Sequence, residues 1–246
     1  MKILLVNPNL TQPMTDRVLE AAMAAARPGT VLQAVTGVFG PQVIGSRAEA
    51  ALAAHGVLDL VAQHAAGCDA VVLAVSLDSS AWACRELLSI PVVGMTEAAL
   101  YTAALLAPRF GLLTYGQRLL PLYRELVEAS GLLGRLAAMG AVDVTPQETF
   151  DDPEHVLAAV EAEAMLLVSQ GAEAVVLAGA AMSAMAPQLQ ARVPVPLLDG
   201  VACAVGLAET LAHQRWTRPR TGSVSGTGGR EVLGVSPALQ SLFAQR

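Results

Sequence analysis

The sequence predicts an α/β protein made of two pseudo-symmetric, Rossmann-like domains, each holding a four-stranded parallel sheet, with a site in the cleft between them. Three observations predict it. First, Gly67-Cys68-Asp69-Ala70-Val71-Val72-Leu73-Ala74 returns as Gly171-Ala172-Glu173-Ala174-Val175-Val176-Leu177-Ala178, identical at six of eight places and with an acid kept at the third. Second, each copy is followed by a small or polar loop, a helical stretch and a Pro-led strand, Ile90-Pro91-Val92-Val93-Gly94 and Val195-Pro196-Leu197-Leu198-Asp199. Third, short aliphatic runs alternate with helical patterns along the chain, as βαβ units around a parallel sheet require.

The elements follow in order. Lys2 to Val6 is a short apolar run stopped by Asn7-Pro8-Asn9, so it reads as the first strand, 2–7. Further aliphatic runs place strands at 31–35, 70–75, 91–94, 110–114, 136–143, 174–178 and 196–199, two sets of four. Helical patterns fall at 15–26, 47–66, 80–89, 96–107, 118–130, 152–170, 183–191 and 201–214, and Asp152-Pro153-Glu154 is a start signal with proline in the first turn. The expected division is 1–97 plus 204–246 as one domain and 98–203 as the other. Thr217 to Gly229, rich in Gly, Ser, Thr and Arg, reads as an irregular linker. Its Gly226-Thr227-Gly228-Gly229 follows no strand and opens no helix, so it is not a phosphate loop. The apolar tail Val232 to Phe243 is too short to bury a core of its own and is expected to dock on the body or on a neighbouring subunit.

Composition excludes several partners. At 54% hydrophobic and 15% charged, 246 residues bury a large core, and a net charge of −6 without a basic run leaves nothing to neutralise a nucleic-acid backbone. Apolar stretches are broken by Gly, Pro or charge well short of the roughly 20 residues of a membrane span. The N-terminal run is also too short for a signal peptide, and the expectation is a cytoplasmic protein. Cys68, Cys84 and Cys203 are odd in number and widely spaced, which fits a reducing compartment. No Cys-x-x-Cys occurs, and His55, His64, His155 and His213 stand alone on helical patterns, so no metal site is expected.

In parallel sheets ligands bind beyond the carboxyl ends of the strands. Four such ends carry suitable residues: Asn7-Pro8-Asn9, Val75 to Ser80, Thr114-Tyr115-Gly116, and Gly179 to Ser183, two from each half. If the halves face each other, Val75 and Gly179 flank one ligand from opposite sides. That is the geometry for removing a proton from one face of a carbon and returning it on the other, with N–H and hydroxyl groups stabilising the enolate oxygen. The candidate catalytic positions are Ser76, Asp78 and Gly179; the candidate substrate contacts are Asn7, Asn9, Val75, Ser76, Thr114, Tyr115, Ala180 and Ala181. Asp78 is open to two roles, a base or a cap on the helix beginning near Ser79. Tyr115 is expected to narrow the pocket or supply a phenol as acid. Asp199 reads as a helix N-cap, Cys84 and Cys203 as small hydrophobes in apolar helices, and Trp82 as either a wall of the site or core.

Val6-Asn7-Pro8-Asn9 with Met14-Thr15, Gly40-Pro41, Ala83-Cys84-Arg85-Glu86-Leu87-Leu88 running into Ile90-Pro91-Val92-Val93-Gly94, Leu198-Asp199-Gly200-Val201 and Gly234-Val235-Ser236-Pro237-Ala238-Leu239 together resemble the aspartate/glutamate racemase superfamily, in its hydantoin racemase branch. The resemblance covers nearly the whole chain. It implies a cofactor-independent racemase or isomerase acting through an enolate on a small imide or carboxylate, such as a hydantoin or an amino-acid derivative, and a homo-oligomer. Two other readings share the pocket: a decarboxylase or cis-trans isomerase of the superfamily, or a paralogue that binds without turnover. The branch places one cysteine after each repeated strand, and here those places fall at Val75 or Ser76, depending on one residue of alignment, and at Gly179. A thiol ionising near about 8.5 serves as a carbon-acid base, which an unaided serine hydroxyl does not.

Overall fold

Strands β1 (Lys2–Asn7), β2 (Val31–Thr36), β3 (Ala70–Leu73) and β4 (Val92–Gly94) form one parallel sheet in the order β2-β1-β3-β4. Strands β5 (Phe110–Tyr115), β6 (Leu136–Val142), β7 (Val175–Leu177) and β8 (Leu197–Asp199) form a second, β6-β5-β7-β8, with the same order and direction. The helices are α1 (Gln12–Ala25), α2 (Arg47–His64), α3 (Ala81–Leu87), α4 (Met95–Leu106), α5 (Leu120–Ala129), α6 (Glu148–Asp151), α7 (Pro153–Ser169), α8 (Ala186–Leu189), α9 (Gly200–Gln214) and α10 (Pro237–Ala244). This computed structural model describes residues 1–216 and 218–244, without the side chain of Ser76.

Alternation along the strands decides which helices cover which face, because successive side chains point to opposite sides of a sheet. Ile3, Leu5, Ala70 and Val72 join α1 and α9, whereas Leu4, Val6, Val71 and Leu73 join α2 and α3. In the second sheet Leu113, Val175 and Leu177 meet α7, while Phe110, Leu112, Ala174 and Val176 meet α4 and α5. Burial on both faces explains why the strands read as continuous aliphatic runs.

Two helices cross between the halves. α4 leaves the first sheet and packs on β7 and β8; α9 leaves the second and packs on β3, β4 and β1. They also pack on each other. The expected domain boundaries, 97/98 and 203/204, fall inside these two helices. One hydrophobic cluster accordingly runs from Ile3 and Leu5 through α1 and α9 to Leu113 and Leu177.

The differences from expectation are local. α8 is a short turn of 186–189 rather than a helix over 183–191, because Ala180–Met182 already forms a 3-10 turn and Ala184 takes a left-handed φ of 65° that breaks helical continuity. α6 was not expected from hydrophobic periodicity. The apolar tail forms α10, whose Leu239 is buried and whose Leu242 packs with α2 over the first sheet. Thr217, within the expected linker, lies outside the described residues, and no helix or strand occurs among the described ones between 215 and 236. No helix is long and apolar enough to cross a membrane among the described residues.

Candidate active site

Both sheets reverse strand order beside their first-entered strand, so the crevices that bind ligands in open α/β sheets lie at the carboxyl ends of β1 and β3 in one half and β5 and β7 in the other. These four ends meet at one cavity of about 370 Å³, a size suited to a small molecule. Its lining includes Asn7 and Asn9 after β1, Ala74 and Val75 after β3, Thr114 to Gly116 at β5, and Ala178 to Ala181 after β7. All seven described substrate-contact candidates are therefore in one place: Asn7, Asn9, Val75, Thr114, Tyr115, Ala180 and Ala181. The side chain of Ser76 is outside the described residues; its backbone begins the 3-10 turn Ser76–Asp78.

The repeat extends into the loops. Val75 and Gly179 each precede a three-residue 3-10 turn, Ser76–Asp78 and Ala180–Met182, and the later residues Ser80 and Ala184 are both left-handed, with φ of 66° and 65°. Structural equivalence thus pairs Gly179 with Val75. The first N–H groups of such turns have no carbonyl partner within the turn and are free for an anion or a carbonyl oxygen.

Polar groups on the two walls differ in how far they are committed. Asn7, almost fully buried, donates through Nδ2 to Asn9 Oδ1 and Thr15 Oγ1, both at 2.9 Å, and Asn9 Oδ1 also accepts from Thr11 N at 3.0 Å. These bonds shape the loop and leave the amide nitrogen of Asn9 for a ligand. Thr114 is part of the cavity lining, and its Oγ1 is buried with no hydrogen-bond partner among the described residues. A buried hydroxyl is costly to leave unpaired, so this one keeps hydrogen-bonding capacity in reserve. Tyr115 OH lies 2.9 Å from Thr149 Oγ1, and burial, the main cause, pushes its pKa up to about 12, so the phenol keeps its proton at neutral pH.

Asp78 is not at the cavity. Its Oδ1 accepts from Thr96 N at 2.9 Å and its Oδ2 from Glu97 N at 2.6 Å, so it caps α4, not the helix beginning near Ser79. Burial and then the neighbouring Glu97 push its pKa up to about 7, against the pull of those two N–H donors. Asp199 caps α9 through Oδ1, accepting from Val201 N and Ala202 N at 2.8 and 3.1 Å, while Oδ2 reaches back to Ala184 N at 2.6 Å. Trp82 neither walls the cavity nor packs in the core: it is 70% exposed and stacks under the Arg85 guanidinium. Cys84 and Cys203 are off the cavity lining, and burial pushes their thiols up to about 12 and about 11, which suppresses the thiolate.

Sequence reasoning missed a second stretch of the lining, Asp143 to Gln147 with Glu148 and Phe150, a third, Gln42 to Gly45, and Arg118. A signal for the second was present in Thr145-Pro146-Gln147-Glu148, which has capping-box spacing. Glu148 Oε2 accepts from Thr145 N and Thr145 Oγ1, both at 2.7 Å, and these bonds hold its carboxyl below the usual range. No group of His, Cys, Asp and Glu that could hold a metal ion occurs among the described residues.

Two sheets of identical strand order that close over one small cavity with matched strand ends define the class. The Asp/Glu/Hydantoin racemase family model matches residues 3–208, and the chain belongs to that family. Its activity class is that of a racemase. It is 35% identical over 216 residues to the hydantoin racemase of Pseudomonas sp. (strain NS671), covering 86% of each chain, and 34% identical over 219 residues to that of Rhizobium meliloti, covering 86% and 88%. Among solved structures, the allantoin racemase of Pseudomonas fluorescens superposes with a TM-score of 0.91 at 31% identity, over 95% of this chain and all of that one. Arylmalonate decarboxylase shares the fold, with a TM-score of 0.59 at 17% identity.

Proposed function

We propose that the protein is a cofactor-independent racemase acting on a small cyclic imide of the 5-substituted hydantoin type, or on a related amino-acid derivative, by way of an enolate. The observation that carries this reading is the cavity itself: the loop ends at Val75 and Gly179 approach it from different halves, and Thr114, whose buried hydroxyl has no partner among the described residues, is part of its lining. Asn9, Thr114 and the turn N–H groups at Ser76, Ala180 and Ala181 hold the substrate oxygens. The Arg118 guanidinium adds positive charge where the enolate forms.

Neither Val75 nor Gly179 has a side-chain group that can accept or donate a proton. The lining offers instead the carboxylates of Asp143 and Glu148 and the phenol of Tyr115, and these are the groups we assign to proton transfer. The protein is further proposed to be cytoplasmic and to assemble as a homo-oligomer through the exposed apolar residues Trp82, Tyr101, Leu105 and Leu106 of α3 and α4.

The test is loss of the substrate Cα proton in D2O, followed by NMR together with optical rotation, for single enantiomers of 5-substituted hydantoins, allantoin and amino acids. Exchange with racemisation is expected for a hydantoin, reduced in Asp143→Asn or Glu148→Gln. Tight binding without exchange across the panel would overturn the reading.

A further inference from the structure

The two loops that carry Val75 and Gly179 are joined through the middle of the molecule by an unbroken set of contacts. On one side Asp78, in the first loop, ties that loop to the first turn of α4 by its bonds to Thr96 N and Glu97 N. Gly94, just before that helix, leaves room: a Cβ there would run into the Asp78 carboxyl group. On the other side Asp199, at the start of α9, ties that helix to the second loop by accepting from Ala184 N. The first turns of α4 and α9 touch, since a Cβ on Gly200 would stand 2.9 Å from both Met95 O and Met95 Cε.

The loops so held are strained. Leu77, Asp78 and Ser80 have φ of 62°, 48° and 66°, and Ala184 has 65°; non-glycine residues persist in this region only where surrounding bonds over-determine them, and such strain clusters at functional sites. Each carboxylate braces a strained loop against a helix start, and the two helix starts abut.

We propose that Asp78 and Asp199 are positioning residues for the proton-transfer reaction, fixing the separation and orientation of the two cavity walls through the Met95–Gly200 contact. Neither lines the place where substrate reacts; each acts through a loop backbone. The inference rests on the racemase reading for its catalytic consequence but not for its mechanical one, and the two are measured separately.

The mechanical arm uses the full-length protein without substrate. Backbone amide shifts and hydrogen exchange are recorded for wild type and Asp78→Asn, a near-isosteric change that keeps one acceptor. Altered shifts and faster exchange at Ala180 to Ala184, in the opposite half, are expected. Changes confined to residues 75–80 and 94–98 would overturn the proposal. If Asp78→Asn does not fold, Asp199→Asn read at residues 76–80 makes the same test in reverse.

The catalytic arm follows exchange of a 5-benzylhydantoin Cα proton, normalised to folded protein. Each variant is expected to lose between ~10-fold and ~100-fold in kcat with KM changed far less, as a wall displaced by an ångström would produce. The double variant is expected to lose less than the product of the two single losses, because a set of contacts broken once is not broken twice. Multiplicative losses, or a lower melting temperature with unchanged kcat, overturn it. No exchange by wild type, with the amide effects present, would discard the racemase reading and leave the brace standing.

Discussion

The loop after β3 and the loop after β7 make the same turn with different chemistry. Val75 enters the first with φ −136° and ψ 138°, ordinary extended backbone, whereas Gly179 enters the second with φ 121° and ψ 137°, a conformation side chains resist. The brace is exchanged in the same way. In the first half the carboxylate sits on the loop and reaches the helix, with a glycine opposite; in the second it sits at the helix start and reaches the loop. One bond, loop to helix start, survives with its donor and acceptor sides traded. The comparison teaches that the order of 3-10 turn and closing left-handed residue, Ser80 and Ala184, has been kept, while the entering φ and the backbone inside the turn have not: Leu77 and Asp78 are left-handed, and Ala181 and Met182 are not.

The largest effect that would break this comparison is expected at Gly179. Gly179→Cys forces a side chain onto a φ near 121° and should cost ~1–3 kcal/mol. Val75→Cys, on extended backbone, should cost less than ~1.5 kcal/mol. Chemical denaturation of both variants decides it, and equal costs would mean the walls are interchangeable after all.

The pH dependence of stability comes next, and burial raises the carboxyl pKa of both braces, Asp78 and Asp199, so the two act in the same direction. The folded pKa of Asp78 is about 7 against an ordinary 3.8, so between those values the folded protein holds a proton that the unfolded chain has released. Stability from this group is fully present below 3.8 and declines as pH rises toward 7, with a slope of at most ~1.4 kcal/mol per pH unit. Urea titrations from acid to neutral should show the decline in wild type and a flatter profile in Asp78→Asn.

Thr114→Val should leave stability unchanged or slightly higher, since it removes a buried hydroxyl without a partner, while weakening ligand binding by ~1 kcal/mol. Calorimetry with a hydantoin checks the second part and thermal melting the first. The smallest effect is expected where the halves meet at the surface. Arg47 Nη1 on α2 donates to Glu125 Oε2 on α5 at 2.8 Å, but both side chains are largely exposed, and Arg47→Ala should leave the melting temperature unmoved at moderate salt.

How much of this was written in the sequence follows from the range of the interactions. The eight strands, their grouping in fours and the strand ends at the cavity were legible because buried parallel strands are continuous aliphatic runs, and because the segment at 67–74 is repeated at 171–178. Thr114 and Tyr115 were legible as the end of such a run. Asp78 was legible as a cap, but not as the cap of α4, because that bond spans 18 residues and depends on where β4 delivers the chain. Glu148 and Phe150 were hidden for another reason: α6 is a single turn, too short to show a period, and only the Thr145–Glu148 spacing announced it.

The crossing of α4 and α9 sets a limit on how the chain can be divided. Each sheet takes one of the helices that cover one face from the other half's sequence, so a fragment ending near residue 107 and one beginning there would each expose part of an apolar face. Such fragments should stay unfolded or aggregate apart and regain structure only when mixed, each lending the other its missing helix. In that respect the two halves of the molecule exchange helices as the subunits of a domain-swapped dimer do, within one polypeptide.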